Sequence, residues 1–218
     1  MAAIVHTAAA SLLLLLLGGC GQLRPRLGYP WVESALLSLE HETLDLRIER
    51  GELVVRAAMI FRAHDQREAL EMLFPEDARD APLRELSVRW AGARLATDIE
   101  PAHVFDGGPP LSHVRRWHRF VVGPLSRGET RRLIVSYRQR LPSHARRVRY
   151  LLRTGAYWRG PIRSLAIRLD DPASHTIAAR FGDTPPRRSG HRLWWSLRDV
   201  EPRSDVVLEL TKIGRAHV

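Results

Sequence analysis

Hydrophobic and polar positions alternate through the middle of the chain. Apolar residues occupy every second position over 44–48 and again over 53–61, with Arg50-Gly51 between the two segments. Successive side chains of a β-strand point to opposite faces, so this period of two predicts a β-hairpin with one buried face.

Further strands are predicted at short intervals, separated by Pro and Gly. They cover residues 70–74, 86–90, 94–97, 114–122, 132–138, 148–153, 162–169, 176–181, 192–197 and 205–210. Residues 98–112 include Asp106-Gly107-Gly108-Pro109-Pro110 and are predicted as a long loop. The spacing favours an all-β fold over residues 31–212, a mostly antiparallel β-sandwich, as one unit or as two subdomains divided near 98–112. A barrel is the alternative.

The segment from Val32 to His41 is ambiguous. Its apolar residues Leu36 and Leu37, with Glu40, have a spacing that allows one face of a helix. The pattern alone does not decide between a helix and an extended strand.

The N-terminal residues have the pattern of an export signal. Residues 2–19 are apolar or small apart from three polar positions, and Leu12 to Leu17 is an unbroken leucine run. This segment is short for a transmembrane helix, which needs about 20 apolar residues. It fits the hydrophobic region of a signal peptide over residues 1–19. Residues 20–30 contain two prolines and two glycines and are predicted to form a tether of at most about 35 Å.

The leucine run ends in Leu17-Gly18-Gly19-Cys20, which resembles the lipobox of bacterial lipoproteins. The resemblance implies cleavage before Cys20 and a diacylglycerol joined to its sulfur by a thioether. Gly21 replaces the Asp that suggests retention in the inner membrane, so the expected location is the outer membrane, facing the periplasm. The alternative is an unmodified cysteine that follows an ordinary signal peptide.

Three segments of the predicted domain, 42–48, 72–76 and 150–162, resemble uncharacterised exported bacterial β-domains. The resemblance implies a β-sandwich and no particular chemistry. Residues 213–218, Ile-Gly-Arg-Ala-His-Val, resemble translated sequencing-adapter read-through. We exclude them from the predicted domain; a genuine basic tail is the alternative.

Composition excludes several kinds of site. The 34 basic residues include one lysine, Lys212, and the chain has one cysteine. A P-loop, a Schiff-base lysine and an intramolecular disulfide therefore have no support. The sequence also lacks His-Glu-x-x-His and Gly-x-Ser-x-Gly. We predict no catalytic residues, no metal site and no cofactor, and interpret Asp170-Asp171 as part of a turn before Pro172 rather than a catalytic carboxylate pair.

Positive charge is concentrated in the second half. Residues 21–110 hold 11 Arg and 16 acids, whereas residues 111–211 hold 21 Arg and 8 acids. Arginine binds phosphate and carboxylate groups bidentately, so these residues are candidates for an anion-facing surface. The residues named for it are Arg115, Arg131, Arg147 and Arg149. The alternative is a solvated face in a protein from a GC-rich genome.

The adjacent residues Trp194 and Trp195 are unusual in a predicted strand. Their side chains must point to opposite faces, so one ring is expected to be partly exposed unless both faces are covered. Burial by an adjoining segment is the ordinary expectation. An aromatic platform for a sugar or a partner surface is the functional alternative.

These observations favour a lipid-anchored envelope protein that acts as a non-enzymatic binding or scaffolding module. Two alternatives remain: an accessory β-domain of a longer exported enzyme, and an arginine-rich module that binds an anionic envelope polymer or lipid headgroups. Export makes nucleic acid an unexpected partner.

Overall fold

The fold consists of β-strands. The computed structural model describes residues 36–77, 82–101, 114–141, 147–150, 152, 159–174, 176–201 and 203–210. The strands are β1 (Leu37–Glu49), β2 (Glu52–Ala63), β3 (Leu70–Asp77), β4 (Leu83–Trp90), β5 (Ala93–Leu95), β6 (Asp98–Pro101), β7 (Val114–Val122), β8 (Thr130–Arg140), β9 (Arg147–Tyr150), β10 (Ile162–Asp170), β11 (Thr176–Phe181), β12 (Arg187–Ser189), β13 (Arg192–Val200) and β14 (Val206–Leu210). Within these ranges there is no helix with the length and apolar composition needed to span a bilayer.

The strands form one large sheet and two small ones. The large sheet has eight strands in the order β12-β13-β10-β1-β2-β8-β4-β5, and the small sheets have the orders β11-β14-β9 and β3-β7-β6. Among the described strands, β1 and β10 pair in parallel and the other pairs are antiparallel. The all-β, mostly antiparallel class predicted from the sequence is confirmed.

One hydrophobic core joins the three sheets. The inward residues of the large sheet, such as Leu44 and Val135, belong to the same buried cluster as Phe74 of one small sheet and Leu208 of the other. The rings of Phe74 and Tyr137 meet edge to face across the layers, with centroids 5.6 Å apart. The two small sheets therefore cover the inner face of the large one, as in a sandwich.

The predicted hairpin is present. Strands β1 and β2 pair from Leu37 opposite Ala63 to Glu49 opposite Glu52. The turn residues Arg50 and Gly51 have φ values of 50° and 75°. Two consecutive positive φ values are typical of the two-residue turn whose twist matches that of the flanking strands.

A β-bulge resolves the ambiguous segment before the hairpin. Residues 37–41 belong to β1 rather than to a helix, and the register with β2 shifts between Leu39 and His41. The extra residue reverses the alternation, so that Leu37 and Leu39 reach the same core as Leu44. Because the alternation of buried and exposed residues changes phase at the bulge, the spacing of the apolar residues in this segment also fitted one face of a helix.

The loop predicted over 98–112 is partly strand. Residues 98–101 form β6 and pair with β7, while the rest of this loop lies outside the described residues. Strands from both sides of the loop share the large sheet and its core. Strand β12 was not predicted, because its three exposed residues show no alternation.

Gly123 provides the first test of this packing. Its φ of 146° is poorly tolerated by other residues, and a Cβ there would lie 2.3 Å from the carbonyl oxygen of Glu68. Gly190, with φ of 55° and no atom within 4 Å of its Cβ position, is the matched control. We expect Gly190→Ala to lower the free energy of unfolding by about 1 kcal/mol and Gly123→Ala by about 3 kcal/mol, because the second also forces backbone movement. Urea unfolding monitored by tryptophan fluorescence measures both, and equal losses would contradict the close approach.

Tyr150 gives a second test. Burial in the core raises the pKa of its phenol well above the usual value, and the charge of Glu42 raises it further. The unfolded chain ionises near pH 10 while the folded protein keeps the phenol neutral, so stability is complete below that pH and falls above it. We expect a loss of up to about 1.4 kcal/mol per pH unit above pH 10, and a shallower loss in Tyr150→Phe. Urea unfolding between pH 8 and 11 measures both slopes. Equal losses of stability in the two proteins would contradict the raised pKa, because they would show that Tyr150 ionises in the folded protein as readily as in the unfolded chain.

Candidate functional site

The outer face of the large sheet carries a row of charged and aromatic residues. Strand pairing places Arg187, Trp194, Arg168, Asp45 and Arg56 side by side on five adjacent strands. The Asp45 carboxylate lies between two guanidinium groups, 3.4 Å from Arg168 and 3.9 Å from Arg56. The row therefore has one carboxylate for three arginines.

A second row runs beside the first. Arg192, Asp170 and Arg47 are paired across three adjacent strands. The Asp170 carboxylate lies 3.9 Å from Arg192, 3.7 Å from Arg47 and 3.1 Å from His191. All three basic side chains are largely exposed, so these are surface pairs, each of which contributes at most about 1 kcal/mol.

Together with Arg198 and Glu49, these positions form a surface that we call the arginine face. Glu49 follows Arg47 on the same face of β1 and lies 3.2 Å from it. The surface consists of six arginines and three acids on β12, β13, β10, β1 and β2: Arg47, Arg56, Arg168, Arg187, Arg192, Arg198, Asp45, Glu49 and Asp170. The arginines outnumber the acids by three. The surface is therefore cationic even with every carboxylate paired.

The other end of the same outer face also carries arginines, and some of them are held by glutamates. Arg138 of β8 lies 3.3 Å from both Glu49 and Glu52 and 3.1 Å from Glu85. The hydrogen bond with Glu52 is the largest of the effects that raise the pKa of the Arg138 guanidinium above its usual value. Arg84 on β4 also pairs with Glu52, at 2.8 Å. Strand register places four further arginines outward at this end: Arg89, Arg94, Arg132 and Arg140. The β12–β10 side is therefore distinguished by the indole of Trp194 among its arginines and not by a greater excess of charge.

The two adjacent tryptophans have different environments. Trp195 is buried in the core, and its Nε1–H donates a hydrogen bond of 2.9 Å to the carbonyl of Thr184. Trp194 is half-buried on the outer face, within the arginine face. The opposite orientations predicted for the pair are confirmed. A surface aromatic platform at this position has one indole, that of Trp194, and not two.

The structure does not bring together the four arginines selected from the sequence. Arg115 lies on β7, Arg131 on β8, and both Arg147 and Arg149 on β9, so they occupy three different sheets. Arg131 is paired with Glu129, and Arg147 lies 3.5 Å from Glu209. The side chains of Arg115 and Arg149, and the whole Leu17-Gly18-Gly19-Cys20 segment, lie outside what the structure describes.

A serine and a histidine meet near the start of β1. Ser38 donates its hydroxyl proton to Glu40 at 2.8 Å, while His64 Nε2 lies 2.9 Å from the same hydroxyl oxygen. Arg62 and Arg163 flank the buried Glu40 carboxylate at 3.7 and 3.2 Å. In a catalytic Ser–His pair, the serine hydroxyl donates its hydrogen bond to the histidine that acts as base. Here the Ser38 hydroxyl donates instead to the Glu40 carboxylate, which is already paired with two arginines. The cluster is thus built to hold the bulged start of β1.

A third polar group is enclosed between β3 and β7. The buried Glu76 carboxylate lies 2.9 Å from Arg116 Nε and 3.0 Å from His118 Nε2. Both partners lie on β7, the strand that pairs with β3, so the cluster links the two strands through their side chains. No local pattern predicts this cluster, because Glu76 and its partners are about 40 positions apart in the sequence.

The two consecutive aspartates take separate roles. Asp170 ends β10 on the outer face, whereas Asp171 is buried and accepts a hydrogen bond from the Thr176 backbone N–H. Asp171 therefore holds the turn that leads to β11, as its predicted turn role requires. Within the described ranges, no three His, Cys, Asp or Glu side chains group as a metal site.

The arginine face was missed as a unit by the sequence analysis. Arg168 stands between the core residues Ile167 and Leu169, so alternation alone marks it as outward. No local signal shows that it lies between Trp194 and Asp45, because these pairings join strands distant in sequence.

Comparison with known proteins gives a likeness of fold. No protein-family model matches the sequence, and no curated protein does. A candidate nutrient-binding protein from Legionella pneumophila is similar with a TM-score of 0.61 and 15% identity, over 83% of this chain and 68% of that one. An M1 zinc metallopeptidase from Deinococcus radiodurans gives a TM-score of 0.46 and 16% identity, over 83% of this chain and 44% of that one. Native yeast LTA4 hydrolase gives 0.48 and 10%, over 86% and 31%. The Legionella protein therefore shares the fold.

Proposed function

We propose that this protein is a non-catalytic binding module of the bacterial cell envelope. A lipid on Cys20 holds it at the outer membrane, and its arginine face binds an anionic polymer of the envelope. The observation that carries the proposal is the cationic outer face, where six arginines stand against three carboxylates.

The geometry of the face supports binding of an extended partner. Its side chains stand on five adjacent strands, which lie about 4.8 Å apart, so the charges are spread along a surface rather than gathered in a pocket. Arg168 and Arg192 keep 66% and 71% of their side-chain surface exposed. Guanidinium groups so exposed can exchange a weak surface pair for a phosphate or carboxylate of a ligand.

The lipid anchor is tested at the cysteine. Cys20→Ala removes the sulfur that the lipid requires, so we expect the variant to leave the membrane fraction and to lose incorporation of labelled fatty acid. Ser11→Ala, upstream of Leu17-Gly18-Gly19-Cys20, is the control and should remain lipidated. Membrane retention of a Cys20→Ala protein whose signal peptide has been removed would disprove lipid anchoring.

The binding role is tested by changing charge in both directions. We expect the whole mature protein to bind purified lipopolysaccharide, with an affinity that falls steeply as salt rises. Each arginine near an anionic surface contributes about 1 kcal/mol, so Arg168→Gln combined with Arg192→Gln should weaken binding by about tenfold or more. Asp45→Asn removes a carboxylate from the face and should strengthen binding.

Arg180 provides the matched control for these variants. It is an exposed arginine on β11 of a small sheet, paired with Glu209 at 2.6 Å, and is not part of the arginine face. Arg180→Gln should leave the affinity unchanged in the same titration. Binding that is insensitive to salt, or that responds equally to Arg180→Gln, would rule out the arginine face as the site.

A second candidate function is an accessory β-domain of a longer exported enzyme. The similar Legionella structure supports only the greater length in this proposal, because the shared fold covers 68% of that chain. A long sequencing read across the 3′ end of the gene separates the two proposals. An open frame that runs into a further domain supports the accessory role, and a stop within a few codons supports the binding module.

A further inference from the structure

Trp194 lies at the centre of the most cationic part of the arginine face. Arg187 and Arg168 are its partners on the two neighbouring strands. Arg192 and Ser196 are two positions away along its own strand, and residues two apart on a strand share a face. The exposed side of one indole is thus surrounded by three arginines and a hydroxyl.

The buried neighbour Trp195 fixes this arrangement. Its hydrogen bond to Thr184 ties the segment before β12 to β13. That segment leads directly into Arg187, which pairs with Trp194. Because Trp195 must point into the core, Trp194 must point outward, and the same anchor holds Arg187 beside it.

The arginines around Trp194 retain capacity for an anionic ligand. Arg168 shares Asp45 with Arg56, and Arg192 shares Asp170 with Arg47 and His191. Arg187 is exposed, and among the described residues no carboxylate lies within ion-pair distance of it. The indole of Trp194 is therefore bordered by Arg187, which has no carboxylate partner among the described residues, and by two arginines that each share a carboxylate with other basic side chains.

We infer that Trp194, Arg168, Arg187 and Arg192 form a binding subsite for an acidic sugar unit of a polysaccharide. The indole offers an apolar face on which a sugar ring stacks, and the guanidinium groups bind its carboxylate or phosphate bidentately. The inference rests on the proposed function, and it names the ligand class of the same surface.

An acidic sugar fits this geometry better than a lipid surface does. Trp194 is half-buried within a sheet face, so its ring cannot enter a bilayer as a protruding loop residue does. It can, however, contact a ring that lies flat on the strands. A ligand without rings would use the arginines and gain nothing from the indole.

The experiment compares three soluble probes by calorimetry: oligogalacturonate, neutral maltooligosaccharides and polyphosphate. We expect oligogalacturonate to bind, and Trp194→Ala to weaken it by about threefold or more, since the variant removes the apolar surface against which the sugar ring packs. Trp194→Phe should retain most of the affinity. Polyphosphate binding should be unchanged by Trp194→Ala but weakened by Arg187→Gln, and maltooligosaccharides should not bind. Arg180→Gln is again the control.

The outcomes separate the inference from the proposed function. Equal sensitivity of oligogalacturonate and polyphosphate to every variant, with no effect of Trp194→Ala, overturns the sugar subsite and leaves the anion-binding face intact. Vesicles that contain anionic lipid serve as a fourth probe, followed by co-sedimentation. Binding to the vesicles alone overturns the subsite and assigns the face to a membrane surface. Failure of every anionic probe overturns both proposals.

Discussion

Strand β1 lies beside β10 in parallel, and this pairing organises the large sheet. It places residues 41–47 next to residues 164–170, so strands from the beginning and the end of the domain become neighbours. On the other edge of β1, the hairpin partner β2 leads to β8 and β4. Without the β1–β10 contact, β12, β13 and β10 would have no connection to the rest of the sheet. The arginine face depends on the same contact, because its residues come from both sides of it.

This topology converts an uneven distribution of charge along the chain into pairs across strands. Arginines from the second half lie against acids from the first: Arg168 against Asp45, Arg138 against Glu49, and Arg116 against Glu76. Arg47 and Asp170 form one pair in the opposite sense. The excess of arginine is therefore partly structural. What remains unbalanced lies along the outer face of the large sheet, and the part of it on β12, β13 and β10 surrounds Trp194.

Local patterning predicted the strands well and failed where the period was broken. The β1–β2 hairpin and the strands β10, β13 and β14 follow from alternation, because each has one buried face and one more exposed face. Residues 37–41 were ambiguous because a bulge shifts their phase. The short strands β6 and β12 contain too few buried residues to show a period.

The sequence by itself determined the all-β class, the opposite orientations of Trp194 and Trp195, and the turn role of Asp171. It did so because each follows from the order of neighbouring residues along a strand or into a turn. Only the tertiary structure decided which arginines share a surface. Arg131 and Arg147 were plausible in sequence but lie on different sheets, whereas Arg187 and Arg168 lie on either side of one indole. Lateral neighbours in a sheet are set by strand order and register. These depend on hydrogen bonds and core packing between distant segments, which no local pattern encodes.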